Sequence, residues 1–336
     1  MITLSELSVH TYNWQEALSN TISNPAELLD LLQLEHSLLP DAIKANELFT
    51  LRVPRDFVAK MEKGNPKDPL LLQVLPLGKE FIESPAYSLD PLNESNQTPY
   101  KGVIHKYYGR LLLITTGACA INCRFCFRRH FPYQDNQLNT KQWDNALSYI
   151  ASNNTIKEVI LSGGDPLVSN DKRLARLVEA LEHIPHVDTL RIHTRLPLMI
   201  PQRITETMLQ WFTNSRLKPV MVIHCNHPNE VDLAVEKALL KLHKAGAVLL
   251  NQAVLLKGVN DSAKTLTELS QKLFQSSVMP YYLHTLDRVK GAAHFAVEDN
   301  TAAQLIREMM KINPGYLVPK LVREVAGTEN KQLIPL

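Results

Sequence analysis

The sequence has no excess of charge of either sign. Thirty-six lysines and arginines stand against 34 aspartates and glutamates, a net charge of +2 over 336 residues. So even a balance excludes a basic surface for nucleic acid and a solvating acidic tail. No apolar run approaches the ~20 residues that a membrane-spanning helix needs. The amino terminus, beginning Met1-Ile2-Thr3-Leu4-Ser5-Glu6, lacks the basic-then-apolar layout of a secretion signal. Cysteine is scarce, with four residues in all, and neither pairing nor an oxidising compartment is indicated. A cytoplasmic protein with no membrane or nucleic-acid partner is expected. What is present is ordinary globular material, 45% hydrophobic and 21% charged, enough for one large domain with elaborations or for two.

The first hundred residues differ in texture from the rest. Ser23-Asn24-Pro25 offers a helix cap followed by proline at the first helical position, and Glu27 to Leu32 continues amphipathically. A second helix is predicted over 55–63, ended by Gly64-Asn65-Pro66, and the Pro-, Asn- and Ser-rich stretch 76–100 reads as a long arm. From Arg110 onward short apolar runs alternate with helical stretches. The runs cover 111–116, 158–162, 189–194, 219–224, 248–255 and 279–283. Between them Leu174, Leu177, Val178 and Leu181 recur at helical steps, as do Leu233, Val235, Ala238, Leu239 and Leu242. Helix-length connections imply parallel pairing, because a crossover helix is what joins parallel strands. The order favours a barrel or partial barrel over a sandwich, with its chemistry beyond the carboxyl ends of the strands.

At the end of the first such run stands Gly117-Ala118-Cys119-Ala120-Ile121-Asn122-Cys123-Arg124-Phe125-Cys126. A structural zinc site wants four ligands, commonly as two separated pairs, and no distant partner pair appears. Three local thiolates can instead hold three irons of a [4Fe–4S] cluster and leave the fourth open to a substrate. Cys225 stands alone and reads as a small buried hydrophobe. The second run ends in Ser162-Gly163-Gly164-Asp165-Pro166, where paired glycines let backbone come close to a ligand.

The spacing of Cys119, Cys123 and Cys126, with an aromatic before the last cysteine and a Gly-Gly-acidic turn after the next strand, resembles the radical S-adenosylmethionine (SAM) superfamily. Further segments resemble its lysine 2,3-aminomutase family: Asn65-Pro66 with Asp68-Pro69-Leu70, the run His105-Lys106-Tyr107-Tyr108-Gly109-Arg110, Cys126-Phe127-Arg128-Arg129, Arg191-Ile192-His193-Thr194-Arg195, His224-Cys225-Asn226-His227-Pro228-Asn229-Glu230, 251–261, and Asp287 with His294-Phe295. The resemblance runs from about residue 50 to the end. It implies an α/β fold, a partial (βα)6 radical SAM barrel. Residues 1–100 would then form a helical region and arm, 101–298 the barrel, and 299–336 a C-terminal helix and cofactor-lysine tail.

The resemblance also implies cofactors and roles. The three cysteines would hold the cluster, and SAM would lie against Ser162, Gly163, Gly164, Asp165 and His193. Pyridoxal phosphate (PLP) would attach to Lys331, in a segment that keeps one glycine where the family often has several, with Lys320 as the fallback. Lys106 and Arg110 would contact phosphate or carboxylate, and Asp90 matches a further polar position. Arg128 would fork the substrate carboxylate, as a guanidinium does well. Asp287 and Glu324 match the two acids that receive the lysine ammonium, Glu324 being one methylene longer than the aspartate usual in free-lysine mutases. The reaction implied is hydrogen abstraction from C3 of lysine, migration of nitrogen from C2 to C3, and return of hydrogen. The chain stops just after Lys331, without the C-terminal extension of the catabolic mutases. Together with Glu324, this resembles the bacterial enzyme that makes (R)-β-lysine for modification of elongation factor P by a separate ligase. The alternatives are a catabolic lysine 2,3-aminomutase and a radical SAM protein without aminomutase activity. An electron donor completes the expected partners.

Overall fold

The computed structural model describes residues 13–133 and 140–336. Among them, nine strands form one sheet in chain order: β1 (Val103–Tyr107), β2 (Arg110–Thr116), β3 (Glu158–Gly163), β4 (Thr189–Thr194), β5 (Lys218–Ile223), β6 (Val248–Val254), β7 (Met279–His284), β8 (Lys320–Arg323) and β9 (Gln332–Leu333). Every neighbouring pair from β2 to β8 is parallel, while β1 and β9 are added antiparallel at the two edges. This is an open barrel wall. The six expected strands are all there, and β8 adds a seventh parallel one. The short Lys320-Leu321-Val322-Arg323 carries no local signal strong enough to announce it.

Parallel strands bury both faces and so read as continuous apolar runs. In β3, Val159, Ile160 and Leu161 are buried. Helices cover the outside. Helix α1 (Trp14–Ser19), α2 (Pro25–Leu31), α3 (Leu39–Leu48) and α4 (Arg55–Val58) belong to the N-terminal region, and α5 (Thr140–Ser152) and α6 (Asp171–Glu182) follow β2 and β3. Next come α7 (Leu196–Met199), α8 (Glu206–Thr213), α9 (Leu233–Lys244), α10 (Ala263–Gln275) and α11 (Asp299–Ile312). Asn24 caps α2 with proline at its first position, as its sequence predicts. Leu174, Leu177, Val178 and Leu181 form the buried face of α6. Val235, Ala238, Leu239 and Leu242 do the same for α9, each buried leucine contributing about 1.5–3 kcal/mol. Leu233, expected in that stripe, is 64% exposed. It is the first residue after the Asp232 cap, where the chain has not yet turned its side chains onto the sheet.

The helix predicted over 55–63 is a single turn, α4. Tertiary bonds stop it. Lys60 Nζ donates to the carbonyls of Leu198 (3.0 Å) and Glu230 (2.9 Å), and the Asp68 carboxylate collects the N–H groups of Glu62, Leu70 and Leu71. The arm over 76–100 has only short 3-10 turns, including one at Glu94–Gln97. No helix among the described residues is long and apolar enough to cross a membrane.

Candidate active site at the carboxyl ends of the strands

A cavity of about 420 Å³ opens where β2 to β8 end. Its size suits a cofactor or small-molecule site. One wall is the cysteine loop, which the N-terminal region clamps from outside. Asn122 donates from its backbone to Arg52 O (2.9 Å) and from its side chain to Thr50 O (2.7 Å). Arg124, 1% exposed, pairs with buried Glu80 and donates to Leu72 O at 2.8 Å. Cys119, Cys123 and Cys126 all line the cavity. Among the described residues no three His, Cys, Asp or Glu side chains converge enough to hold a single metal ion. Three thiol side chains are the donor set that a [4Fe–4S] cluster takes, each thiolate on its own iron. Burial pushes Cys126 up to about 11, with Cys123 adding to the effect, and burial also raises Cys119 above the ordinary thiol range. A metal cluster would have to displace protons from these thiols.

The Gly-Gly turn serves the packing of two loops. Gly163 has φ +118°, and a Cβ there would sit 2.5 Å from Thr116 O; at Gly164 it would sit 2.3 Å from Ala118 O. The turn is stitched to the cysteine loop by Gly164 N to Thr116 O (2.7 Å) and Asp165 N to Ala118 O (2.8 Å). Gly164→Ala is therefore expected to cost about 1–3 kcal/mol and to lower iron uptake on reconstitution; unchanged iron content and melting temperature would count against this packing role. The Asp165 carboxylate is already taken by the Thr194 hydroxyl (2.7 Å) and by the N–H groups of Arg195 (2.8 Å), Leu196 and Leu167 (3.0 Å each). It ties β3 to the end of β4. Ser162 Oγ accepts from Arg128 Nη1 (3.2 Å), and Tyr133 OH donates to Gly163 O (2.6 Å).

Across the cavity runs a chain of alternating charges. Arg128 forks onto Glu94, with Nε to Oε2 at 2.7 Å and Nη2 to Oε1 at 2.9 Å. Lys106 Nζ lies 3.2 Å from Glu94 and 3.1 Å from Glu324. Glu324 in turn pairs with Lys331 and accepts from Tyr107 OH at 3.1 Å. Burial raises the Glu324 carboxyl, but Lys331 and Lys106 outweigh it and hold the group well below the ordinary carboxylate range. Asp287 faces the same space with no ion pair or side-chain hydrogen bond among the described residues. Burial and then the nearby Glu324 push it up to about 7.

Lys331 reaches the cavity because its segment is a hairpin. Strand β9 pairs back on β8, Val322 opposite Leu333 and Arg323 opposite Gln332, which folds the intervening turn over the site. The single glycine of that turn, Gly327, has φ +80°, the one conformation in the segment that calls for glycine. Lys320, the fallback, is exposed on β8. Arg110 faces the cavity with its guanidinium 4.5 Å over the Tyr107 ring and no carboxylate partner among the described residues. His193, His284 and His224 line the cavity too. His193 Nε2 and His284 Nε2 are buried without a hydrogen-bond partner, the state of donors or acceptors waiting for a ligand. Burial lowers all three imidazoles, so they are neutral at pH 7.

Asp90 lies on the exterior and accepts from the N–H groups of Glu94 (3.0 Å) and Ser95 (3.1 Å), shaping the turn that delivers Glu94. Cys225 is buried in the main apolar core, as expected. Glu94, Tyr107, Tyr133, His284 and Arg195 are site residues to which the sequence alone assigned no role. Glu94 sits in a stretch without periodicity, Tyr107 and Arg195 sit in motifs where neighbouring residues drew the attention, and Tyr133 and His284 lie just beyond the segments that carried a signal.

Residues 113–216 match the Radical SAM superfamily. The L-lysine 2,3-aminomutase of Haemophilus influenzae is 52% identical over 321 residues, covering 96% of this chain and 95% of the relative. That of Escherichia coli K12 is 50% identical over 326 residues, with the same coverage. That of Clostridium subterminale is 32% identical over 321 residues, 95% of this chain and 77% of the relative. The identities are high and extend along almost the whole chain, well beyond the superfamily segment. On these grounds the chain belongs to the L-lysine 2,3-aminomutase family of radical SAM proteins.

Proposed function

We propose that the protein is an isomerase that moves the α-amino group of L-lysine to C3, giving (R)-β-lysine for the modification of elongation factor P. The observation that carries this is the apposition of Lys331, held by Glu324, and unpaired Asp287 across one cavity from the three cysteines. Cys119, Cys123 and Cys126 would hold a [4Fe–4S] cluster with one iron open to SAM. The Gly163-Gly164 turn, Ser162 and His193 would contact SAM, and Lys331 would hold PLP with Arg110 and Lys106 near its phosphate. When bound, these cofactors supply the radical and the imine chemistry.

The protein's own part is placement. Arg128 is fixed by Glu94 on two of its nitrogens, so a substrate carboxylate is received at Nη1, beside Ser162. The lysine ammonium goes to Asp287, with Glu324 behind it. A buried ammonium needs a carboxylate partner, and Asp287 is the acid not already spent on a lysine. Glu324, in place of the shorter acid usual in free-lysine mutases, is what supports the elongation factor P pathway.

Two experiments test this reading. Reduced, cofactor-loaded protein given equimolar L-lysine and L-glutamate should yield β-lysine alone by chiral mass spectrometry. Deoxyadenosine without any β-amino acid would sink the substrate assignment. Pathway follows from elongation factor P isolated with and without the gene: loss of the β-lysyl mass supports the role, and an unchanged factor points to free-lysine metabolism.

Asp287 adds a pH dependence. Its pKa is raised in the folded protein, so without substrate it binds a proton that the unfolded chain gives up, and stability falls as pH rises toward about 7. Lysine binding needs the ionised form. The KM for lysine is therefore expected to fall as pH rises through about 7, and Asp287→Asn should raise KM and flatten the profile. A sloping profile in the variant would assign the titration elsewhere.

A further inference from the structure

Arg195, just past the end of β4, is held from several sides. Its N–H is bound by Asp165 at 2.8 Å. Its guanidinium lies over the rings of Phe57 and Phe125, 5.6 and 5.8 Å from their centroids. Nη2 donates to Gln73 Oε1 (2.6 Å) and Glu230 Oε2 (2.9 Å), while Nη1 donates to Cys123 Sγ at 2.8 Å. Glu230 is fully buried and also accepts from the backbone N–H groups of Asn226 (2.9 Å) and His227 (3.0 Å).

An ion pair with Glu230 would not by itself require the second arm of the fork to touch a cysteine. A thiol is a weak acceptor, and aiming a buried cation at one returns little. A sulfur bearing negative charge is a strong acceptor. Charge and hydrogen bonds around cluster sulfurs are what set reduction potentials.

We propose that Arg195 is a positioning residue that raises the reduction potential of the cluster through its bond to the Cys123 sulfur, with Glu230 as the buried counter-charge that limits the effect. This rests on the assignment of Cys119, Cys123 and Cys126 as cluster ligands. One electron from a low-potential donor converts [4Fe–4S]2+ to [4Fe–4S]1+; no bond breaks and no proton moves. With three thiolates the assembly goes from one net negative charge to two. A fixed cation touching one of those sulfurs stabilises the reduced form more than the oxidised one. Glu230, one guanidinium further away, opposes it more weakly.

The test is a potentiometric titration of anaerobically reconstituted protein, without SAM or lysine, followed by electron paramagnetic resonance after iron and sulfide are assayed. Arg195→Gln and the charge-balanced double variant Arg195→Gln/Glu230→Gln should shift the reduction equilibrium at least tenfold toward the oxidised cluster, about 59 mV for one electron. Glu230→Gln should shift it the other way. Arg195→Lys, which keeps the charge but cannot fork, should fall between wild type and Arg195→Gln. If Arg195→Gln alone does not assemble a cluster, the double variant and Glu230→Gln carry the same comparison. Variants with full clusters and wild-type midpoints, whatever their melting temperatures, would overturn the inference and leave the cysteine assignment standing. A wild-type protein that takes up no cluster would overturn both.

Discussion

Replacing Lys331 by alanine is expected to lower lysine isomerisation by ~10⁴-fold or more, the scale on which losing one member of a covalent catalytic unit costs. The violet absorbance of bound PLP should vanish while iron content and the cluster's broad brown band stay. The expectation rests on the hairpin of β8 and β9, which brings a lysine five residues before Leu336 against Glu324, itself bound by Lys106. No tail lysine free in solvent would be so held. Lysine is the cofactor-bearing nucleophile of choice because its amine condenses with a carbonyl. Lys320 is the control: it is exposed on the neighbouring strand, and Lys320→Ala should change neither band nor rate. Retention of the violet band by Lys331→Ala would refute the assignment.

Glu94→Ala should be the most destabilising single change in the cavity wall, by about 3–5 kcal/mol, because it leaves two buried cations without their shared anion. Glu94 is 3% exposed and binds Arg128 through both oxygens and Lys106 through one. With it gone, Arg128 is left buried without a carboxylate partner, and Lys106 keeps only Glu324, which it shares with Lys331. Chemical denaturation of the full chain measures the loss directly. The KM for lysine should also rise, since Arg128 Nη1 is no longer aimed at the substrate carboxylate. Asp90→Ala offers the contrast. It removes an exposed cap from the same turn and should cost nearer 1 kcal/mol. Equal losses in the two variants would show that the turn matters and the buried charge does not.

These two residues also mark how differently parts of the site could be read in advance. Lys331 is legible because a known motif order ends there, and the cysteines are legible because three ligands on one loop form a local pattern. Glu94 has no local signature. It meets Arg128 across 34 residues, and Lys106 meets Glu324 across 218. Ion pairs of that kind are selected by the folded geometry, and either member looks like an ordinary surface charge in the linear text. Asp165 was legible as part of a turn, but its carboxylate is consumed by Thr194 and three backbone N–H groups that only the fold brings to it.

By itself the sequence determined the succession of strands and helices, because burial on both faces writes parallel strands as continuous apolar runs and burial on one face writes helices at three- and four-residue steps. It also determined the three-thiol loop and its place after the first parallel strand. Only the tertiary structure decided where the helix after Pro54 stops, since Lys60 and Asp68 find stronger partners outside it than inside. It alone decided that Lys320-Leu321-Val322-Arg323 is a seventh parallel strand and that Glu94 bridges Arg128 and Lys106. It alone turned Arg195 onto a cysteine sulfur. The reason is common to all four: a hydrogen bond or ion pair is worth most where water is excluded, and which distant groups share a dry space is fixed by the fold, not by the neighbours along the chain.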